Sequence, residues 1–433
     1  MKKNKKIYIT KWKIIVSLLL LCVLAVALVF ADKLEVLVGY KTTLDSHQSV
    51  FDQIENEPYY VSYIDVGQGA SSYIQLPDGK NMLIDGGDVE YGETVGEFLT
   101  NHNVTTIDYM IATHADSDHI GGLNYVLENF EIKNILRPFQ ISLSTSDANS
   151  AVYEYEDLAG AYNELQVQSS GRSKVCKITS SVYRRFIKNI YSETYTEGGS
   201  EVESTITVFY DGLKISGDNY EIEFFAPLKR NIDMDFSAWS TKTLGFATDG
   251  FGSSSSTSND NSAIFTVTCF DDKYLFMGDS RYTESNGSIG YSEMAFINSL
   301  TDDEKTELAK VDVLLLGHHG SKYSTSTELL NIVLPKFVIV SAGAKNTYGH
   351  PAPETLERVA KVSSLADDYL LRTDKNGNIE FSSVDGVLVY ALESENAQTK
   401  LKISFRLLCV IITFSLIFVI LSIRVKKPKQ SRR

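Results

Sequence analysis

Short apolar runs broken by polar turns dominate the chain. The runs at Tyr60–Val66, Ser72–Leu76, Asn81–Ile84 and Tyr109–Thr113 are bounded by Gly, Asp, Asn or Pro and predict strands. Gly122–Phe130 predicts a helix, and Asn134–Leu136 another short strand. Residues 141–215 change character: polar, rich in Ser and Tyr, with room for two helices. Such a stretch is expected as an inserted cap or substrate arm on a fixed scaffold. Strand pattern returns at Glu221–Phe225, and residues 229–260 read as loop. Ala263–Cys269 and Tyr274–Met277 then predict a hairpin turning at Asp271-Asp272-Lys273. The last third alternates: strand Val311–Leu316, helix Thr325–Val333, strand Phe337–Val340, helix Pro353–Val362, and three short strands up to Leu392. Two strand-rich halves with helices between them fit an α/β sandwich of two sheets covered by helices.

The two ends follow another pattern. Ile14–Ala31 is an uncharged apolar run of 18 residues, and Leu407–Ile423 is a second, extendable to 403 if Arg406 snorkels. On their terminal sides the charges are all basic: six lysines before the first, and Arg424 to Arg433 after the second. By the positive-inside rule both ends are expected in the cytoplasm and the middle outside the cell. A cleaved signal peptide is the rival for the first run and leaves the same domain outside. The expected organisation is a basic tail at 1–13, a span at 14–31, a linker at 32–58, a domain at 59–392 with its insertion at 141–215, a span at 403–423 and a basic tail at 424–433.

Those ends hide an acidic domain. Residues 32–402 hold 28 basic and 55 acidic residues, a net of −27. A polyanion would be repelled over most of such a surface. The stretch from Arg172 to Ile190 is the exception, with Arg172, Arg184, Arg185 and Lys188 among its basic residues and no acid. It reads either as the solvated face of a helix or as a phosphate-backbone contact. Of four cysteines, Cys22 and Cys409 fall in the apolar end runs and Cys269 ends a strand, where a buried free thiol is expected.

The chemistry concentrates at three predicted strand ends. His114-Ala115-Asp116-Ser117-Asp118-His119 places two imidazoles and two carboxylates in six residues, ahead of Gly121-Gly122. Met277-Gly278-Asp279 and Gly317-His318-His319-Gly320-Ser321 follow two later strands. Four of the seven histidines lie in these turns, and the ligand types suit one or two divalent cations. No cysteine is near, which argues against thiolate-ligated zinc.

In this order the turns resemble those of the metallo-β-lactamase superfamily, and more narrowly the extracellular hydrolase domain of ComEC-type competence proteins. Asp65-Val66-Gly67-Gln68-Gly69, Leu83-Ile84-Asp85-Gly86-Gly87, Tyr348-Gly349-His350-Pro351 and Arg372-Thr373-Asp374 match further motifs of that group. The resemblance implies an αββα four-layer sandwich, here flanked by two transmembrane helices. It implies that His114 and Asp116 face one metal, Asp118 and His119 the other, that Asp279 bridges them and that His318 completes the second site. Asp118 would also orient water. His319, Ser321 and His350 would hold phosphoryl oxygens, protonate the leaving group or support the ligands by hydrogen bonds. Asp65, Asp85 and Asn261 are expected to shape the site.

Two departures matter. Asp116 stands where the zinc β-lactamases carry a histidine, and no histidine lies between His119 and His318. Asn259-Asp260-Asn261-Ser262 occupies the comparable place. Oxygen for nitrogen hardens the site, so manganese joins zinc as the expected metal. The expected function is a membrane-anchored extracellular phosphodiesterase or nuclease acting on DNA. A hydrolase of cell-envelope, teichoic-acid-type phosphodiesters and a non-catalytic binding or accessory protein are the alternatives; protein partners are left open.

Overall fold

The computed structural model describes residues 54, 57–138, 142–144, 166–169, 172–177, 180–227, 255–283, 291–362, 365, 369–384 and 386–393, with the backbone alone at 142–144, 166–169, 172–177, 255–257 and 291. The expected spans at 14–31 and 403–423, the two basic tails and most of the 32–58 linker lie outside the described residues. Among the described residues no helix is long and apolar enough to cross a membrane.

In chain order the first strands are β1 (Tyr60–Tyr63), β2 (Ser72–Gln75), β3 (Asn81–Ile84), β4 (Thr106–Ile111) and β5 (Glu131–Arg137). Then come β6 (Ser142–Ser144), β7 (Gln166–Ser169), β8 (Arg172–Lys177), β9 (Thr194–Glu197), β10 (Ser200–Glu203) and β11 (Thr205–Val208). The second half holds β12 (Lys214–Gly217), β13 (Tyr220–Ala226), β14 (Ile264–Cys269), β15 (Asp272–Phe276), β16 (Val313–Leu315), β17 (Phe337–Val340), β18 (Leu370–Arg372), β19 (Ile379–Val384) and β20 (Val387–Leu392). They assemble into an eight-stranded sheet, β11-β5-β4-β3-β2-β1-β19-β20, and a seven-stranded sheet, β12-β13-β14-β15-β16-β17-β18.

Alternation along each strand explains the layers. In β3 and β4, Met82, Ile84 and Ile111 join Phe224, Phe265, Phe276 and Leu315 of the other sheet in one buried cluster. Tyr63 stacks across this layer on Phe276, with ring centroids 6.1 Å apart. Residues of opposite parity face outward to helices. Tyr73 meets Phe98 of the Gly92–Asn101 helix edge-on at 5.7 Å. On the far side Leu275, Met277, Leu314, Leu316, Val338 and Val340 pack against Phe296, Leu329, Leu330, Val333 and Val359 of three helices. Each of these buried side chains contributes on the order of 1.5–3 kcal/mol. The result is the four-layer αββα sandwich.

The stretch at 141–215 is only partly an addition. Its helix Ser181–Ile190 buries Tyr183, Phe186, Ile187 and Ile190 against the helices that follow β4, and β11 pairs in parallel with β5. Both therefore belong to the sandwich. Residues of β6, β7 and β8 form a separate three-stranded sheet. The tract expected as loop at 229–260 ends in a helix, Ser255–Asp260, and residues 228–254 lie outside the described residues.

Candidate metal centre

Parallel strands share a direction, so their carboxyl ends lie on one rim. β3, β4 and β5 run parallel in one sheet, and β15, β16, β17 and β18 in the other. Asp85 follows β3, Thr113 to His119 follow β4, Asp279 follows β15, His318 and His319 follow β16, and Ser341 follows β17. Every turn singled out by its histidines or carboxylates thus arrives at the same edge of the sandwich.

Asp279 lies at the middle. Its Oδ1 is 3.0 Å from His119 Nε2 and 3.6 Å from His319 Nε2. Its Oδ2 is 3.5 Å from His318 Nε2 and 3.8 Å from His114 Nε2. His319 Nε2 also lies 3.4 Å from Asp118 Oδ2 and 3.3 Å from His119 Nε2. Two sets of ligand atoms fall within 4.8 Å of one another: His114, His119 and Asp279, and Asp118, His119 and His319. Of the two adjacent histidines, His319 joins Asp118 and His119, while His318 approaches Asp279 Oδ2 and is in neither set. The expectation that His318 completes the Asp118–His119 group is met instead by His319. Asp116 belongs to neither set.

The orientation of each imidazole is fixed from behind. Asp85 Oδ2 accepts from His119 Nδ1 at 2.7 Å and from Thr113 Oγ1 at 2.7 Å, while Oδ1 accepts from the Thr113 amide at 2.8 Å. His319 Nδ1 donates to the Ser341 carbonyl at 2.9 Å. An acceptor-only partner places the proton on Nδ1 in both rings and turns Nε2 into the cluster. His114 Nε2 and Asp279 Oδ1 are buried and make no hydrogen bond. Buried nitrogen and oxygen atoms without hydrogen bonds, converging on one point, suit the donor set of a divalent cation, so the residues fit one.

Electrostatics point the same way. Burial pushes His114 down to about 4. Burial also opposes the charges of Asp279 and His119, yet the surrounding imidazoles hold Asp279 well below the carboxylate range, and Asp279 with Asp85 holds His119 well above the usual histidine value. Burial raises Asp116 to about 7 against a hydrogen bond from Ser258.

The second histidine turn is strained. His318 and His319 have φ of 50° and 55°, and Gly320 follows at 77°. A left-handed backbone costs a non-glycine residue roughly 1–2 kcal/mol. A buried clamp offsets it. Glu293 accepts from the Thr325 and Ser326 amides, each at 2.7 Å, and Arg358 donates to the Ser324 and Thr325 carbonyls at 2.8 and 3.0 Å. Ser324 Oγ closes back on the Gly317 carbonyl at 2.6 Å. Close approach fixes the first turn as well. Ala70 N bonds the Asp118 carbonyl at 3.1 Å, and a side chain on Gly69 would overlap that oxygen.

Other expected residues scatter around this centre. His350 is half-buried, its ring 5.6 Å from that of His318, and burial lowers it to about 4. Ser321 is buried, its hydroxyl accepting from the Tyr323 amide at 3.4 Å. Asp65 Oδ1 accepts from Gly67 N, and Asn261 is buried in the turn before β14. Arg185 pairs with Glu128 at 2.6 Å, Lys188 is exposed, and Arg184 lies on the same helix; the side chain of Arg172 lies outside the described residues. Reasoning from sequence missed Thr113, Ser341, Glu293 and Arg358.

Residues 64–156 match the family model of the metallo-beta-lactamase superfamily. Over that segment the chain is similar to the metallo-β-lactamase superfamily. ComE operon protein 3 of Bacillus subtilis (strain 168) is 25% identical to it over 338 residues, 74% of this chain and 32% of that protein. Competence protein ComA of Neisseria gonorrhoeae is 42% identical over 69 residues, 16% of this chain and 9% of that protein. The chain thus spans about a third or less of the curated relatives it matches. Among solved structures, the metallo-beta-lactamase fold protein YhfI from Bacillus subtilis aligns with a TM-score of 0.35 at 10% identity, covering 73% of this chain and 97% of that one. The metallo-β-lactamase superfamily and the ComEC-type competence proteins are the groups this chain resembles.

Proposed function

We propose that the chain is a membrane-anchored, extracellular, metal-dependent phosphodiesterase acting on DNA. The observation that carries this reading is Asp279, which presents one oxygen to His119 and His319 and the other to His114 and His318. Divalent cations held there would supply a nucleophile from water and neutralise charge on the reacting phosphoryl oxygens. The chain's own residues do the rest. Asp118, partly exposed beside His319, orients the attacking water. His119 and His319 keep their Nε2 atoms turned inward through Asp85 and Ser341. His350, its neutral ring 5.6 Å from that of His318, would hold a phosphoryl oxygen by a hydrogen bond from its N–H. The competence protein among the relatives favours DNA as the substrate.

A cell-envelope phosphodiester is the second reading, favoured by the domain's acidity. The full-length chain in detergent, supplied with manganese or zinc, should cleave single-stranded DNA, and Asp118→Ala should abolish this. Cleavage of a chromogenic phosphodiester but not DNA would move the substrate to the envelope. No turnover with either metal would leave the binding-protein alternative.

A further inference from the structure

Beside the metal centre three rings lie roughly parallel. His350 stands over His319 with ring centroids 6.4 Å apart and 28° between planes, and Tyr348 over His350 at 5.8 Å and 25°. The series runs from a buried ligand-type histidine to a tyrosine that is 71% exposed. Tyr348 contributes nothing to the core at that exposure, and single exposed aromatics are ordinary on a surface. Its position is what matters: Tyr348 and Asp118 line the same open cleft of about 660 Å³. A substrate reacting beside Asp118 would have room for a neighbouring group in this cleft, which the Tyr348 ring also lines.

The charges lining the cleft restrict that group. Among the described residues, Asp65, Asp88, Glu90 and Asp118 line it together with Lys345. A run of further phosphates would be repelled there, whereas a planar ring bearing N–H donors would stack on tyrosine and donate to carboxylates. A nucleobase has both properties. Only an unpaired base has those N–H groups and a free face to offer.

We propose that Tyr348 is the stacking platform for the unpaired base flanking the scissile phosphodiester, and that the cleft holds one nucleotide, not a continuing strand. This rests on the phosphodiesterase reading and names its substrate more narrowly: single-stranded ends and short oligonucleotides.

The test compares two small phosphodiesters with the full-length chain and manganese: the dinucleotide deoxycytidylyl-deoxycytidine, and glycerophosphoglycerol, which has no ring. Tyr348→Ala should lower the ratio of their kcat/KM values about tenfold, through KM of the dinucleotide, and Tyr348→Phe should restore it. An unchanged ratio overturns the platform while leaving the hydrolase intact. Calorimetric binding of deoxycytidine monophosphate against glycerol phosphate separates the two failures. If neither diester is cleaved but the nucleotide binds more tightly and loses that advantage in Tyr348→Ala, the hydrolase reading falls and the platform stands. If the nucleotide binds no better than glycerol phosphate, the platform falls.

Discussion

The two histidine turns reach Asp279 from opposite halves of the chain and are held by different means. The first, His114 to His119, has ordinary right-handed geometry from Ser117 on and is bonded by Asp85, at Thr113 and His119, and by Ser258 Oγ, which accepts from the Ala115 amide at 3.1 Å. The second, His318 and His319, sits in a left-handed backbone that a remote clamp, Glu293 and Arg358, keeps in place. Both turns are held by tertiary contacts: the first by bonds made directly to its own residues, the second by a clamp on the residues that follow it. In the first turn Asp116, expected as a ligand, joins neither set of ligand atoms, and in the second His319, expected to hold substrate or support the ligands, joins Asp118 and His119.

Substitutions can break this contrast. Asp279→Ala should have the largest effect, since among the described residues it is the carboxylate within reach of all four imidazoles; metal-dependent turnover should fall to background in a steady-state assay, with the fold retained by circular dichroism. Next comes the pair His319→Ala and His318→Ala. Because only His319 joins Asp118 and His119 within 4.8 Å, its loss should remove more bound metal, read by elemental analysis after dialysis. Equal losses would return His318 to the same group. Asp85→Asn should follow, weakening metal affinity about 10–100-fold in a competition titration with a chelator, as loss of a ligand's hydrogen-bond partner does. Glu293→Gln should be mildest. One of two buried amides would lose its acceptor, at a cost of about 1–3 kcal/mol in a denaturant titration, with the first turn's contacts intact.

Much of the sandwich was legible because its strands are short, apolar and ended by turn residues. The hairpin expected at Ala263–Cys269 and Tyr274–Met277 is β14 and β15, and Cys269 is a buried free thiol. The helix at Gly92–Asn101 escaped notice because two glycines and Thr94 interrupt its narrow stripe of Val95, Phe98 and Leu99. Asp302–Leu308 had a visible signal, the capping box of Thr301 and Glu304, that apolar periodicity alone passes over. Handedness at His318 and His319 had none, since nothing local distinguishes which of two neighbours turns inward. Glu293 reads as a stray acid in an apolar helix until Thr325 and Ser326 are brought to it.

The crossover between β5 and β11 has a consequence for how such a protein can change. Those strands are parallel neighbours, and the connection between them holds the sheet of β6, β7 and β8 as well as the Ser181–Ile190 helix. Lengthening a connection costs little, about 0.6 kcal/mol for each doubling of a flexible loop. The accessory sheet can therefore be trimmed, extended or exchanged for another without shifting the register of any strand that delivers a ligand. Chemistry and accessory are inherited on separate terms, and lineages or engineers can revise one while leaving the other untouched.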